Sequence, residues 1–456
     1  MTPTSFSRRR LLAAAAGLGL AATTGGLAGC TKGSASAGSG GASATDRITF
    51  MNRWSDPVSK KNAQAMFAGY TKATGIQVGN QVQANSGATY QPAVRTAFSS
   101  SSPPTMATDI SGPEVFNLAQ AGVLMDLTDF YNATIKPRAQ AGATAGSTLD
   151  GKVWGLSDGA SIGNCIWYNQ EYLDKYHVTA TAMTDLDTWL AAMTEIKAAG
   201  GTPIIIGAKD QWPGGHYLND LVQRRLGSAG ATALYNRTVV KGAPADIKWT
   251  DDQVIGSFSD YLKFKPLFQA GFLGEAQASS DSQFLAGKAG FYEMGSWLLS
   301  GIRSTPPKFN PGVMLFPAVK GGKGTGTEVT LANETVIVSK DANPDAVHKF
   351  FDYFTTPDQL STWAASQFVA PPYTFDPSKG AIDNATLKSL FAAVNGFSAA
   401  AGPDGAALFN DQAIDVNVYT QYIWQGSVGL MSGDVSPEKL AQQLEDATVK
   451  AQAKLA

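Results

Sequence analysis

Between residues 47 and 78 the chain reads strand, helix, strand, and that order commits its first folded segment to a parallel α/β sheet. Arg47-Ile48-Thr49-Phe50-Met51 is a short apolar run. Ala63, Met66, Phe67 and Tyr70 then recur at three- and four-residue steps, which predicts a helix over residues 60–74. Gly75 ends that helix, and Ile76-Gln77-Val78 resumes an extended chain.

The pattern continues downstream. A helix is expected over 92–98, a strand over 106–110 and a helix over 113–121, closed by Gly122. Val153-Trp154-Gly155-Leu156 and residues 165–168 read as strands passing from one lobe to the next. Helices follow over 186–199 and 217–226 with a buried strand over 203–206 between them. Later come a helix over 251–270, strands near 289–293 and 334–338, and helices over 344–355 and 437–455. A chain of 456 residues exceeds what one core supports, since cores stop growing at roughly 250–300 residues. Two lobes are therefore expected. With no internal repeat and no second linker, both are discontinuous: residues 46–155 with 330–380, and 156–329 with 381–456.

The N-terminus states where the body works. Arg8, Arg9 and Arg10 precede an apolar stretch and then small residues, the three-part layout of a signal peptide. The paired arginines followed by Leu-Leu resemble a twin-arginine export signal. Leu27-Ala28-Gly29-Cys30 matches a bacterial lipobox, so residues 1–30 are expected to be a signal peptide with Cys30 as the acylated residue. Residues 31–45, TKGSASAGSGGASAT, hold no apolar side chain larger than alanine and read as a flexible tether. The second cysteine, Cys165, sits in an apolar run and is expected to be a buried structural thiol.

Composition removes several classes. Thirty-five basic residues nearly balance 37 acidic ones, so no long-range field favours nucleic acid. The three histidines are scattered and no Cys/His cluster has metal-ligand spacing, so no metal and no cofactor are expected. The chain has neither a G-x-S-x-G elbow nor an H-E-x-x-H helix.

Five segments, in order, resemble a known family. They are Thr74-Gly75-Ile76; Asp150-Gly151-Lys152-Val153-Trp154-Gly155-Leu156, with Ser157 where proline is common; Trp167-Tyr168-Asn169-Gln170-Glu171-Tyr172-Leu173; the run GKAGFYEMGSW over residues 287–297; and SKDANPDAVHKFFDYFTTPDQL over 339–360. Together they are similar to the extracellular solute-binding proteins of carbohydrate ABC importers, the maltose-binding-protein-like superfamily, across residues 46–456. The resemblance implies a two-lobe, type II periplasmic-binding-protein-like α/β fold with a ligand in the cleft. It also implies hinge closure and a membrane permease as partner; a monomer is expected, tied to the membrane through Cys30.

A sugar offers hydroxyls at its rim and C–H faces above and below the ring, so its site needs aromatic platforms and polar side chains. Arg53 and Trp54 lie just past the first strand's C-terminal end, where α/β sheets bind ligands. The resemblance points to Ser111 and Glu114 in the loop after the third strand, where Asp109 reads as a helix cap. It also points to Asp158 after the crossover strand and to Trp297, with Gly295 letting the backbone approach closely. Trp212 stands in a polar Gly/Pro-rich loop that core packing does not explain, and His216 beside it reads as a helix cap. Glu334 precedes the return strand at the hinge; Trp424 is a further candidate, and Trp363 reads as core.

Two other readings stay open. One is a binder for a phosphate ester or a polyamine. The other is a secreted glycan-active enzyme using a carboxylate pair such as Asp158 and Glu334.

Overall fold

In the computed structural model, which describes residues 47–83, 87–140 and 142–455, the opening unit forms as its apolar spacing requires. Strands β1 (Arg47–Asn52) and β2 (Gln77–Val82) pair in parallel across the helix Pro57–Thr74. The Asp56 carboxylate accepts from the N–H groups of Val58 and Ser59, Pro57 fills the first turn, and Gly75 closes the helix at φ 78°. That cap starts the helix three residues upstream of the expected boundary. Ala63, Met66, Phe67 and Tyr70 are its buried face.

Eight more strands complete two sheets: β3 (Met106–Ile110), β4 (Gly155–Ile162), β5 (Cys165–Asn169), β6 (Ile204–Ile205), β7 (Phe291–Glu293), β8 (Pro311–Leu315), β9 (Val329–Val338) and β10 (Ala406–Leu408). The first sheet runs β10-β9-β3-β1-β2, with β4 also on β9; the second runs β8-β5-β7-β6. Each has its own core. Ile48, Phe50, Leu156, Val336 and Phe350 pack on the first. Trp189, Tyr217, Phe264, Phe291 and Phe316 pack on the second.

The antiparallel pair β4–β9 carries the chain between them. At one end Leu156 and Val336 lie in the first core. At the other, Ile162 and Val329 are buried with Trp167 and Tyr292 of the second sheet. Cys165 is free and fully buried beside Ile162.

Several boundaries differ from expectation. The helix expected over 217–226 belongs to Trp212–Asn236, which breaks at Gly227, where φ is 72° and ψ is 166°. The helix expected over 251–270 ends at Leu262, and turns follow. Helices Pro357–Gln367 and Ala385–Ala401 add to the array. Among the described residues, no helix is long and apolar enough to cross a membrane. The signal, Cys30 and the tether lie outside the described residues.

Candidate ligand cavity

The β4–β9 ladder slips at one point. Glu334 pairs with Gly159 and the next residue, Thr335, with Ser157, so Asp158 is an extra residue on β4. Such a bulge re-aims a side chain, and Asp158 faces a cavity of about 400 Å³ with Glu334 on the same wall. Gly159 makes the bulge possible. Its φ is 153°, and a Cβ there would stand 2.5 Å from Val369 Cγ2. The bulge is held from behind: Trp363 Nε1 donates to the Asp158 carbonyl at 3.0 Å, and the Tyr373 hydroxyl donates to the Ser157 carbonyl at 2.8 Å.

Arg53 enters from the end of β1. The Asn52 carboxamide fastens this turn, accepting from the Trp54 N–H at 3.2 Å and donating to Asn80 Oδ1 at 2.6 Å. The Arg53 guanidinium bonds the Glu334 carboxylate and lies 5.9 Å from the Tyr90 ring centroid. Burial holds Arg53 below its usual range, while Tyr90, Asp109, Asp158 and Asp411 oppose that shift. Burial also pushes Asp158 up to about 7 against the pull of Arg53. Asp411 rises to about 7 for the same reason, with the Glu114 charge adding to it.

Aromatic side chains form another part of the lining. Trp212 and Trp297 stand 6.2 Å apart between ring centroids, His216 stacks on Phe409 at 3.9 Å, and Trp424 closes one side. Trp212 opens its helix with Pro213 behind it. The Gly214-Gly215 pair follows because the facing segment 424–427 presses on it: a Cβ at Gly215 would sit 2.6 Å from Trp424 Cδ1. Trp297 folds back over Gly295, where a Cβ would meet its ring at 2.1 Å, and its indole N–H points to Met294 Sδ at 3.0 Å.

Of the residues singled out in the sequence, Arg53, Trp54, Asp158, Trp212, Trp297, Glu334 and Trp424 line this cavity. Ser111, Glu114 and Gly295 do not. The Ser111 hydroxyl is buried against Thr335 Oγ1 at 2.6 Å. Glu114 is buried between Arg95 Nη1, at 2.6 Å, and the Tyr419 hydroxyl, at 2.7 Å. Both sit where residues 410–413 dock onto the loop after β3; a Cβ at Gly112 would lie 2.0 Å from the Gln412 carbonyl. They position the wall instead of forming it.

Three further expectations change. His216 does not cap a helix; it is buried in the aromatic wall, and burial lowers it to about 3. Asp109 accepts from its neighbour's N–H, at Ile110, and the helix Pro113–Gln120 starts from Gly112 without a side-chain cap. Trp212 belongs to a helix start, not a loop. Trp363 is 3% exposed and packs edge-on against Trp54 at 4.6 Å, but its rim also reaches the cavity.

Asp411, Gln412, Phe409 and Asp281 are among the further lining residues that were not singled out. Asp411 follows the end of a strand, the same signal that picked out Arg53. It was missed because β10 is three residues long in an alanine-rich stretch.

Two α/β halves crossed by a strand pair, with one aromatic and carboxylate-rich cavity lined from both, define a two-lobe solute receptor. The chain belongs to the bacterial extracellular solute-binding protein family, whose model matches residues 54–360. It is 27% identical over 210 residues to an uncharacterised ABC transporter extracellular-binding protein of Pyrococcus horikoshii, covering 45% of this chain and 46% of that one. Against the multiple sugar-binding protein of Streptococcus mutans it is 28% identical over 178 residues, covering 37% and 40%. The chain thus spans about half the length, or less, of these curated relatives. Among solved structures, one from work on xylan utilisation by Caldanaerobius polysaccharolyticus matches with a TM-score of 0.76 at 20% identity, covering 88% of this chain and 99% of that one. A chitin oligosaccharide binding protein matches with 0.75 at 21%, covering 89% and 99%. The fold is the type II periplasmic-binding-protein-like fold that the resemblance implied.

Proposed function

We propose that this protein binds a carbohydrate outside the cytoplasm and delivers it to an ABC-type permease by closing two lobes over it. In this reading the lobes are residues 46–155 with 330–380 and residues 156–329 with 381–456. One observation carries it: the indoles of Trp212, Trp297 and Trp424 and the carboxylates of Asp158, Glu334 and Asp411 line one and the same cavity. Sugar C–H faces stack on the first set and hydroxyls donate to the second. A ligand touching both halves favours the closed state, which is what a permease recognises. The printed names of the relatives, a multiple sugar-binding protein and a chitin oligosaccharide binding protein, agree with this class.

A phosphate ester fits poorly, because Arg53, the guanidinium on the wall, is already engaged by Glu334 among several carboxylates. Catalysis is not part of the reading. Glu334 is held by Arg53, so the Asp158–Glu334 pair does not offer one carboxylate free for each role in glycoside cleavage.

A thermal-shift and calorimetric panel of mono- and oligosaccharides tests the proposal. A bound sugar at about 100 times its dissociation constant adds about 2.7 kcal/mol to stability. Trp212→Ala and Trp297→Ala should each weaken that sugar by about 2–4 kcal/mol with near-normal melting. Wild-type affinity in both variants, combined with a large loss of stability, would make these tryptophans core and sink the assignment.

A further inference from the structure

The cavity wall is strongly acidic. Five carboxylates line it, from Asp56, Asp158, Asp281, Glu334 and Asp411, against one guanidinium, Arg53. Three of the five are satisfied within the protein. Asp56 bonds Arg303 at 3.1 Å, Glu334 bonds Arg53, and Asp281 accepts from the Tyr292 hydroxyl at 2.7 Å and from the Gln277 amide. Asp158 and Asp411 are different. Neither carboxylate accepts a hydrogen bond from another described residue, although the two residues are only 4% and 9% exposed. Asp411 Oδ1 is wholly buried and unpartnered. His216 on the same wall is neutral, so it offers them no charge.

We propose that the carbohydrate bound here carries a protonated amine, as an amino sugar does, and that the ammonium is held by one of the two unpartnered carboxylates, Asp158 or Asp411. This rests on the carbohydrate reading and narrows it. A neutral sugar can donate hydroxyls to both carboxylates, but above pH 7, where both are ionised, closing the site over it strips water from two negative charges and supplies no counter-charge. An ammonium brings the charge and three N–H donors together. The indoles of Trp212, Trp297 and Trp424 on the same lining are compatible with a cation, because an aromatic face is its electronegative side.

The test is calorimetric titration of the full chain with matched sugars in the gluco, galacto and manno series. Each is used as the free amine, the N-acetylated form and the parent hydroxyl compound, from mono- to tetrasaccharide. The proposal expects one free-amine sugar to bind at least tenfold more tightly than its N-acetylated and parent counterparts. Asp158→Asn or Asp411→Asn should erase most of that preference, because the free-amine sugar loses a charge partner and its neutral counterparts lose at most one hydroxyl acceptor; retention of the full preference in both variants overturns the proposal. Equal or tighter binding of the neutral member overturns the cationic reading and leaves the carbohydrate reading intact. Failure of every aminated sugar to bind also overturns it. A response to spermidine with no sugar bound at all overturns the carbohydrate reading itself, and this proposal with it. The three-form comparison uses the unaltered chain, so it stands whether or not the asparagine variants fold.

Discussion

Asp158 shows how one residue acquires chemistry from its place in a ladder. In sequence it is an aspartate between serine and glycine; in the fold it is the extra residue of a bulge, on the lining of a cavity and almost wholly buried. Burial raises it from the usual 3.8 to about 7, so between those values the folded chain keeps a proton that the unfolded chain releases. Stability contributed at this site therefore falls as pH rises from about 4 to 7, and the cost is complete above 7. Asp158→Asn should melt higher than wild type at pH 8 in the absence of ligand, by at most about 4 kcal/mol at about 1.4 kcal/mol per pKa unit. The advantage should vanish near pH 4. Equal melting at both pH values would show that the carboxylate is not strained by burial. Residues beside a predictable strand end, such as Arg53 and Trp54, were legible as site candidates. Asp411 and Phe409 were not, because the strand they follow is three residues long in an alanine-rich stretch and leaves no readable period.

At the scale of elements, helix starts do much of the positioning. Arg303, at the end of the helix Leu298–Ser304 beyond Trp297, reaches the start of the helix Pro57–Thr74. It donates to Asp56 Oδ1 and Ser59 Oγ, both at 3.1 Å, and to the Ser366 carbonyl at 2.5 Å. Its guanidinium also lies 4.8 Å from the Phe368 ring centroid. This one side chain fastens a helix next to the second sheet onto two helices that pack with the first. Arg303→Ala should cost about 1.5–3 kcal/mol, the range for hydrogen bonds to a charged group. It should also speed ligand dissociation about tenfold with little change in association rate. Stopped-flow binding and chemical denaturation read the two effects. An unaltered dissociation rate would mean that the bridge does not restrain opening. The spacing of apolar residues predicted most helices, and caps such as Asp56 set where they begin. Helix Pro357–Gln367 begins inside the segment 339–360 quoted for its family pattern but was not foreseen as a separate helix, because Thr355-Thr356-Pro357 ends one helix and starts the next within three residues.

For the molecule as a whole, location depends on residues that precede the described body. If the Leu27-Ala28-Gly29-Cys30 sequence is read and acylated as a lipobox, Cys30→Ala should move the protein from the membrane pellet into the soluble fraction. Wild-type sedimentation of the variant would refute the anchor. The sequence by itself determined that the body is α/β, because strand and helix periods alternate from residue 47 onward. It also determined that one core would not suffice, because surface-to-volume scaling limits a core's size. Ordered motifs were enough to indicate the family. The membership of the cavity wall was decided only by the tertiary structure. Trp212, Trp297, Asp158 and Asp411 lie on four separated segments, and no local period relates them. Their meeting depends on the crossing β4–β9 pair, its one-residue bulge, and the close approaches that Gly112, Gly159 and Gly215 allow. Those are facts of packing between distant parts of the chain, where side-chain volume and hydrogen bonding decide the outcome and sequence spacing carries no trace of it.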